Sequence, residues 1–312
     1  MKYTEVAGAK ISGMSLGTVQ LGMDYGIAND GGQPDLEQSF SMLSAALCGG
    51  ITSLDTARAY GEAEDVLGAF FKTYSGPMPF LTTKVPQFDL DNDRDIEAHI
   101  VESVETSLEK LGVKRVNCIL LHHPSNLYKK AQVTARCMEG LIQRGYTDLI
   151  GASVYTGEEV AEMLRYPVYT ATQVPMSIFD QRLIASGTIA ALRERKVVTF
   201  VRSVFLQGLF FLDPEKMTDP LLLEYAKPKI LQLREFAEEE NMSIAQLAIA
   251  YMRDVPGITS LVLGADTKEQ VAENLQYFDV PPVREETRHR IEAAFADVNI
   301  PEIMKVLSRP KS

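Results

Sequence analysis

Asp55, Tyr60, Lys84 and His122 are residues whose types, taken together, make a proton-transfer device. A phenol has a pKa of about 10 and is a weak acid at neutral pH. An ammonium beside it favours the phenolate and eases loss of the proton. A carboxylate next to that lysine keeps it charged and oriented. A histidine orients a carbonyl oxygen and shares the proton path. Singly, each has an ordinary reading: Asp55 as a helix cap, Lys84 as a solvated strand end, Tyr60 as packing. Position favours the joint reading. Asp55 closes the run ITSLD, Lys84 closes FLTTK and His122 follows CILL, while Tyr60 lies in the loop after Asp55.

These runs belong to a repeating pattern. Short apolar runs predict strands near 14–17, 51–55, 80–84, 116–121, 148–153, 168–174, 197–203 and 259–263. They are continuous more than alternating, as parallel strands covered on both faces require. Helical periodicity falls between them, at 36–48, 62–73, 94–111, 128–144, 157–165, 181–195, 228–240, 243–254 and 267–277. In 36–48, Leu36, Phe40, Leu43 and Leu47 keep to one face before Gly49-Gly50; in 94–111, Ile96, Ile100, Val104, Leu108 and Leu111 do so before Gly112. Eight strand–helix units predict an α/β fold, a (β/α)8 TIM barrel. The rival, an open doubly wound sheet, loses ground because no GxGxxG turn follows an early strand. With no low-complexity linker and no internal repeat, residues 1–312 read as a single domain. Residues 1–13 are expected to form a short N-terminal hairpin over the barrel bottom, and 284–312 a C-terminal helix and tail. In such a barrel chemistry sits at the C-terminal ends of the strands, where Asp55, Lys84 and His122 fall.

The net charge of −11 argues against nucleic acid or an anionic membrane as partner, since both need a basic footprint. No run approaches the roughly 18 apolar residues of a membrane span, and MKYTEVAGAK lacks a signal-peptide core. Cys48, Cys118 and Cys137 show no CxxC spacing and read as reduced, mostly buried thiols of a cytoplasmic protein. A metal site on the adjacent His122 and His123 is not expected. Neighbouring strand residues point to opposite faces, and no third ligand stands at a suitable spacing. His123 reads as a rim residue, and His99 and His289 as solvated. No heptad seam appears, so the oligomeric state is not legible.

The stretches "LDTARAYGEAEDVLG" at 54–68, "TTK" at 82–84 and "LLHHP" at 120–124 resemble the aldo-keto reductase superfamily, and the likeness runs over roughly residues 4 to 280. The resemblance implies a (β/α)8 barrel that moves hydride between a nicotinamide cofactor and a carbonyl without metal. It implies Tyr60 as general acid, Lys84 lowering its pKa, Asp55 holding Lys84, and His122 placing the substrate oxygen; His123 takes the variable position of the family's His-x-Pro.

Cofactor contacts carry over less evenly. The family's Ser-Asn pair is Ser153-Val154 here, so the serine is kept and the asparagine lost. Gln173 matches a family glutamine. Arg202 stands where many members stack a tyrosine on the nicotinamide ring, and a guanidinium plane stacks too. "SVFLQGLF" at 203–210, with Ser203, Leu206 and Gly208, resembles the loop around the pyrophosphate, its backbone N–H groups serving as donors. In "LGADTKEQVAEN", Gly264, Gln270 and Asn274 match family positions at the adenine end. Thr267 and Gln270 also fit a helix capping box. Where the family has Arg or Lys for a 2′-phosphate, this chain has Asp266 and Thr267. Asp266 repels that phosphate and suits a free ribose hydroxyl, while Lys268 could compensate. The expected cofactor is therefore NADPH by family habit or NADH by Asp266.

The loops at 20–32 (with Met23, Asp24 and Tyr25) and 204–227 are expected to shape the substrate pocket. Asp24 and the histidine at the mouth point to a small-molecule carbonyl substrate of hydroxylated type, a sugar or sugar derivative. The absence of tryptophan speaks against a large flat steroid. Two other readings stay open: an NAD-dependent sugar dehydrogenase working oxidatively with the same four residues, and a non-catalytic cofactor-binding regulatory subunit.

Overall fold

Eight parallel strands close on themselves in the computed structural model, which describes residues 1–26 and 31–309. After a hairpin of β1 (Tyr3–Val6) and β2 (Ala9–Ser12), the barrel strands are β3 (Met14–Gly17), β4 (Ser53–Asp55), β5 (Phe80–Val85), β6 (Cys118–Leu121), β7 (Leu149–Ser153), β8 (Ala171–Pro175), β9 (Val198–Arg202) and β10 (Ser260–Leu263). Each pairs in parallel with the next, and β10 returns to β3 through Leu261↔Met14. This is the (β/α)8 barrel expected from the sequence.

Strand alternation gives the barrel an interior that grows more polar towards the mouth. On β5, Phe80, Thr82 and Lys84 share one face, while Leu81 and Val85 pack with the outer core. The floor is apolar: Phe80, Cys118, Leu120, Leu149, Ala171, Val198 and Phe200 pack together with Ile11 of the hairpin. The hairpin turns at Ala7 and Gly8, both with positive φ, and so presents Ile11 to the lower end of the barrel. Truncating Phe200, which is 1% exposed, would cost on the order of 3–5 kcal/mol.

The helices follow the expected positions with instructive differences. Helix Asp93–Leu111 buries Ile96, Ile100, Val104, Leu108 and Leu111 and ends at left-handed Gly112. Helix Leu36–Cys48 is rotated from expectation: Ser39, Met42, Leu43 and Ala46 are buried and Leu36 is 53% exposed. Small Ser39 and Ala46 let it lie close on the barrel, and Phe40 packs edge-on to Phe70. The single helix expected over 181–195 is two, Arg182–Ala185 and Thr188–Glu194, split where Gly187 takes a φ of 74°. A 3-10 turn, Pro124–Leu127, precedes helix Ala131–Gln143. The C-terminal region holds two helices, Glu285–Phe295 and Ile300–Leu307; positions 310–312 of the expected tail, like 27–30 of the loop at 20–32, lie outside the described residues.

Cys118 and Cys137 are buried but Cys48 is exposed. His99 is not solvated as expected: its ring packs against Phe88, with Nε2 buried. Among the described residues, no helix is long and apolar enough to cross a membrane, and no cluster of three or more His, Cys, Asp or Glu could hold a metal ion.

Candidate active site

Three strand ends and one loop bring the four expected residues together. Asp55 ends β4 and Lys84 stands near the end of β5; they are 3% and 1% exposed. Lys84 Nζ donates to Asp55 Oδ1 at 2.7 Å, to the Thr56 carbonyl at 2.9 Å and to the Tyr60 hydroxyl at 3.4 Å. Three acceptors use all three donors of the ammonium. Burial pushes the Lys84 pKa down, but the charge and hydrogen bonds of Asp55 and Tyr60 outweigh it and raise the pKa overall. The ammonium is thus locked in its charged form.

Tyr60 is placed by its own loop and by a close neighbour. Its N–H donates to the Ala57 carbonyl, and its carbonyl accepts from the Ala63 N–H at the start of helix Ala63–Thr73. Helix Val19–Gly22 lies against this loop so closely that a Cβ on Gly22 would sit 1.8 Å from the Tyr60 oxygen. Gly61, with a φ of 55°, faces the Gly22 carbonyl in turn. Glu64, 1% exposed, accepts from Thr83 Oγ1 at 2.7 Å and pairs with Arg58 at 3.3 Å. It fastens the helix after Tyr60 to β5, a role the sequence reading had not assigned.

The His122 ring meets Tyr60 edge-on, with centroids 5.4 Å apart at 80°. Burial, then the charges of Lys84 and Arg202, lower its pKa to about 3. At neutral pH it is an uncharged imidazole, suited to one hydrogen bond to a substrate oxygen rather than to giving up a cationic proton. His123 points elsewhere: its Nδ1 accepts from the Ser125 N–H at the start of the 3-10 turn.

A cleft of about 380 Å³ opens beside these residues. Its lining includes Asp55, Tyr60 and Gln173 at the barrel mouth, Arg202, Ser203 and Gly208 after β9, and Gly264, Asp266, Gln270 and Asn274 after β10. Lys84, His122, Ser153 and Leu206 do not line it. Lys84 lies behind Asp55 and Tyr60, and Ser153 is 2% exposed beside Gln173 in the β7–β8 register. Leu206 is buried, and its N–H is bonded to the Ser203 carbonyl at 2.9 Å. The backbone is left-handed at Ser203, Leu206, Gln207 and Gly208, and the Gly208 N–H, like that of Leu206, is used within the turn, on the Phe205 carbonyl at 3.1 Å. Gln173 donates from Nε2 to Asp55 Oδ2 at 2.8 Å. The Gln270 side chain accepts from the Asp266 N–H at 2.7 Å, one residue beyond the capping box expected, while Thr267 Oγ1 accepts from the Gln270 N–H. Asn274 donates to the Gly264 carbonyl.

Lining residues that the sequence reading had not named include Thr18, Gln20, Gln207, Phe211, Glu273 and Tyr277. Thr18 was accessible in principle: it follows β3 directly, and its N–H and hydroxyl both donate to the Asp55 carbonyl. Glu273 and Tyr277 carry no local signal, since a helix shows which of its residues border a cleft only once it is docked.

The mouth of this barrel thus holds a buried ammonium between a carboxylate and a phenol. The family model for the aldo/keto reductase family matches residues 13–295, and the chain belongs to that family. Curated relatives include aldo-keto reductase YhdN of Bacillus subtilis, 26% identical with 85% of each chain covered. L-glyceraldehyde 3-phosphate reductase of Escherichia coli O157:H7 is 24% identical over 95% of this chain and 92% of that protein. A probable voltage-gated potassium channel subunit beta of Arabidopsis thaliana is 22% identical over 87% and 90%. Among solved structures, PA4992 of Pseudomonas aeruginosa shares the fold, with a TM-score of 0.66 at 20% identity, covering 88% of this chain and 93% of that one. The protein is an NAD(P)H-dependent oxidoreductase of carbonyl compounds.

Proposed function

We propose that the protein reduces an aldehyde or ketone of a hydroxylated, sugar-like small molecule, with Tyr60 as the acid. The observation that carries this reading is Lys84 Nζ, which bonds Asp55 Oδ1 at 2.7 Å and the Tyr60 hydroxyl at 3.4 Å. As the carbonyl oxygen gains negative charge, Tyr60 gives it a proton and Lys84 stabilises the phenolate that remains. Asp55 keeps the ammonium aimed, and uncharged His122 holds the substrate oxygen by hydrogen bond. The likeness to an L-glyceraldehyde 3-phosphate reductase supports a short hydroxylated aldehyde as substrate.

The residues present suit a nicotinamide dinucleotide, which supplies the hydride when bound. Gln173 and Arg202 border the mouth end of the cleft, the left-handed turn at 203–208 its middle, and Asp266, Gln270 and Asn274 its far end. NADH is the better fit. Asp266 and Glu273 both line the far end, and among the described residues Arg202 is the one cationic side chain in the lining. Two carboxylates disfavour a 2′-phosphate and accept hydrogen bonds from a ribose hydroxyl. An NADH preference also keeps oxidation of a sugar hydroxyl open as the reverse reaction on the same residues. The barrel domain takes in the whole chain in this reading.

The test is Tyr60→Phe, assayed on simple and hydroxylated aldehydes with cofactor affinity measured alongside. Turnover should fall by about 10²-fold or more with little change in cofactor binding. Unchanged turnover would remove Tyr60 from its role. A wild-type protein that binds cofactor but turns over no aldehyde would turn attention to the regulatory reading.

A further inference from the structure

We infer that the substrate carries an anionic group, a carboxylate or a phosphate, and that Arg202, held on the Tyr155 ring beside His122, is its anchor. The inference rests on the reductase reading and narrows its substrate class. Along β9, Val198 and Phe200 face inward onto the barrel floor, so Arg202 on the same face rises into the mouth. Its guanidinium carbon lies 4.6 Å from the centre of the Tyr155 ring, and the side chain reaches Ser203 Oγ at 3.4 Å. No carboxylate among the described residues forms an ion pair with it, unlike Arg182 with Asp180 or Arg253 with Asp254. A guanidinium has five N–H donors in a planar fork. One long contact to a hydroxyl leaves most of that fork available for a bidentate oxyanion. A half-buried cation with no counter-ion among the described residues is costly to keep, and an anionic ligand offsets that cost.

The contact of the side chain with Tyr155 favours substrate over cofactor as the source of that anion. Tyr155 follows β7, and its ring faces His123 with centroids 6.5 Å apart. The Arg202 charge is felt at His122 and at Tyr25, and Tyr25 in turn lies within electrostatic reach of Tyr60 and Tyr155. Arg202 is therefore drawn to the side of the mouth where Tyr60 and His122 meet the substrate oxygen. It borders the same cleft as Asp266, Gln270 and Asn274 but leans onto Tyr155, which is not in that lining. An aromatic platform on one face and an acidic partner missing from the edge are what an anion-binding arginine needs.

The experiment compares aldehydes that differ by one anionic group at saturating cofactor: 4-carboxybenzaldehyde against benzaldehyde, and glyceraldehyde 3-phosphate against glyceraldehyde. In the wild-type protein the charged member of at least one pair should have the higher kcat/KM, by about tenfold or more. The favoured pair tells carboxylate from phosphate. In Arg202→Gln that ratio should fall by about tenfold, whatever happens to both rates together, and Arg202→Lys should keep part of it. Tyr155→Leu, which removes the platform but keeps the charge, should lower the ratio less, and carries the test if Arg202→Gln does not fold. Cofactor affinity is measured on each variant without aldehyde. A wild-type ratio near one would overturn the inference while leaving the reductase reading in place. So would an unchanged ratio in Arg202→Gln with weakened cofactor binding, which would give Arg202 to the cofactor. Failure to reduce any of the four aldehydes would count against the reductase reading itself, and this inference would fall with it.

Discussion

Gln173 Nε2 donates to Asp55 Oδ2 at 2.8 Å, so the Asp55 carboxylate is held on one oxygen by an amide and on the other by the Lys84 ammonium. In the proposed mechanism the glutamine thus steadies the carboxylate that aims Lys84, besides bordering the cleft. Gln173→Leu leaves a buried carboxylate oxygen without its donor. It should destabilise the cofactor-free protein by about 1–3 kcal/mol and lower kcat. Denaturant unfolding of the cofactor-free protein measures this. An unaltered midpoint would mean that the bond adds nothing to stability.

His122 gives a pH dependence whose sign is fixed. Its pKa in the folded chain is about 3, against an ordinary 6.5. Between those values the unfolded chain binds the proton that the folded one refuses. Stability therefore falls as pH drops from 6.5 towards 3, and the contribution is fully present above 6.5. His122→Asn does not titrate, so the stability of the wild type relative to this variant should decline steadily from pH 7 to pH 4. Melting curves on both proteins test it, and parallel curves would sink the assignment. The pH profile of kcat/KM should likewise lack an inflection from this histidine near its ordinary value.

Asp266 is the simplest lever on cofactor choice. Asp266→Arg replaces repulsion of a 2′-phosphate by attraction. Paired titrations should show NADPH affinity rising relative to NADH by roughly tenfold, with most of the gain lost at high salt. A wild type that binds NADPH far more tightly than NADH would contradict the proposed preference.

Gly22 sets the position of Tyr60 without taking part in chemistry. An alanine there would place its Cβ 1.8 Å from the Tyr60 oxygen and 2.4 Å from the Ala63 nitrogen, both backbone atoms. The loop must move, and Gly22→Ala should lower kcat by about tenfold or more, since displacements near 1 Å at a reacting group can cost that much. Wild-type kcat in a stably folded Gly22→Ala protein would show that the loop has slack.

The parts of this site that could be read in advance share one property. Asp55, Lys84 and His122 each stand at or beside the end of an apolar strand, so their place at the mouth followed from strand alternation and the closure of the barrel. Gln173 was found only through the family resemblance, and its bond to Asp55 joins residues far apart in the chain and leaves no local trace. The platform of Arg202 escaped notice for the same reason: Tyr155 is an ordinary loop tyrosine until β7 and β9 are brought round the barrel. The rotation of helix Leu36–Cys48 shows the limit of periodicity. Bulky residues drew the expected face, whereas small Ser39 and Ala46 decided which side came close. At Gly187 a glycine inside a helical pattern proved to be a break.

The hairpin that puts Ile11 under the barrel makes the interior a dead end. Below Lys84 the described residues leave only an apolar floor, and above it, in the proposed reading, substrate and cofactor fill the mouth. Filling it therefore changes the medium as well as the contacts. With both ligands in place the ammonium, the carboxylate and the phenol face one another through a drier, less polarisable space, and the fields between them strengthen without any side chain moving. A feature at the foot of the fold, remote from every reacting atom, thus helps set how strongly Lys84 acts on Tyr60.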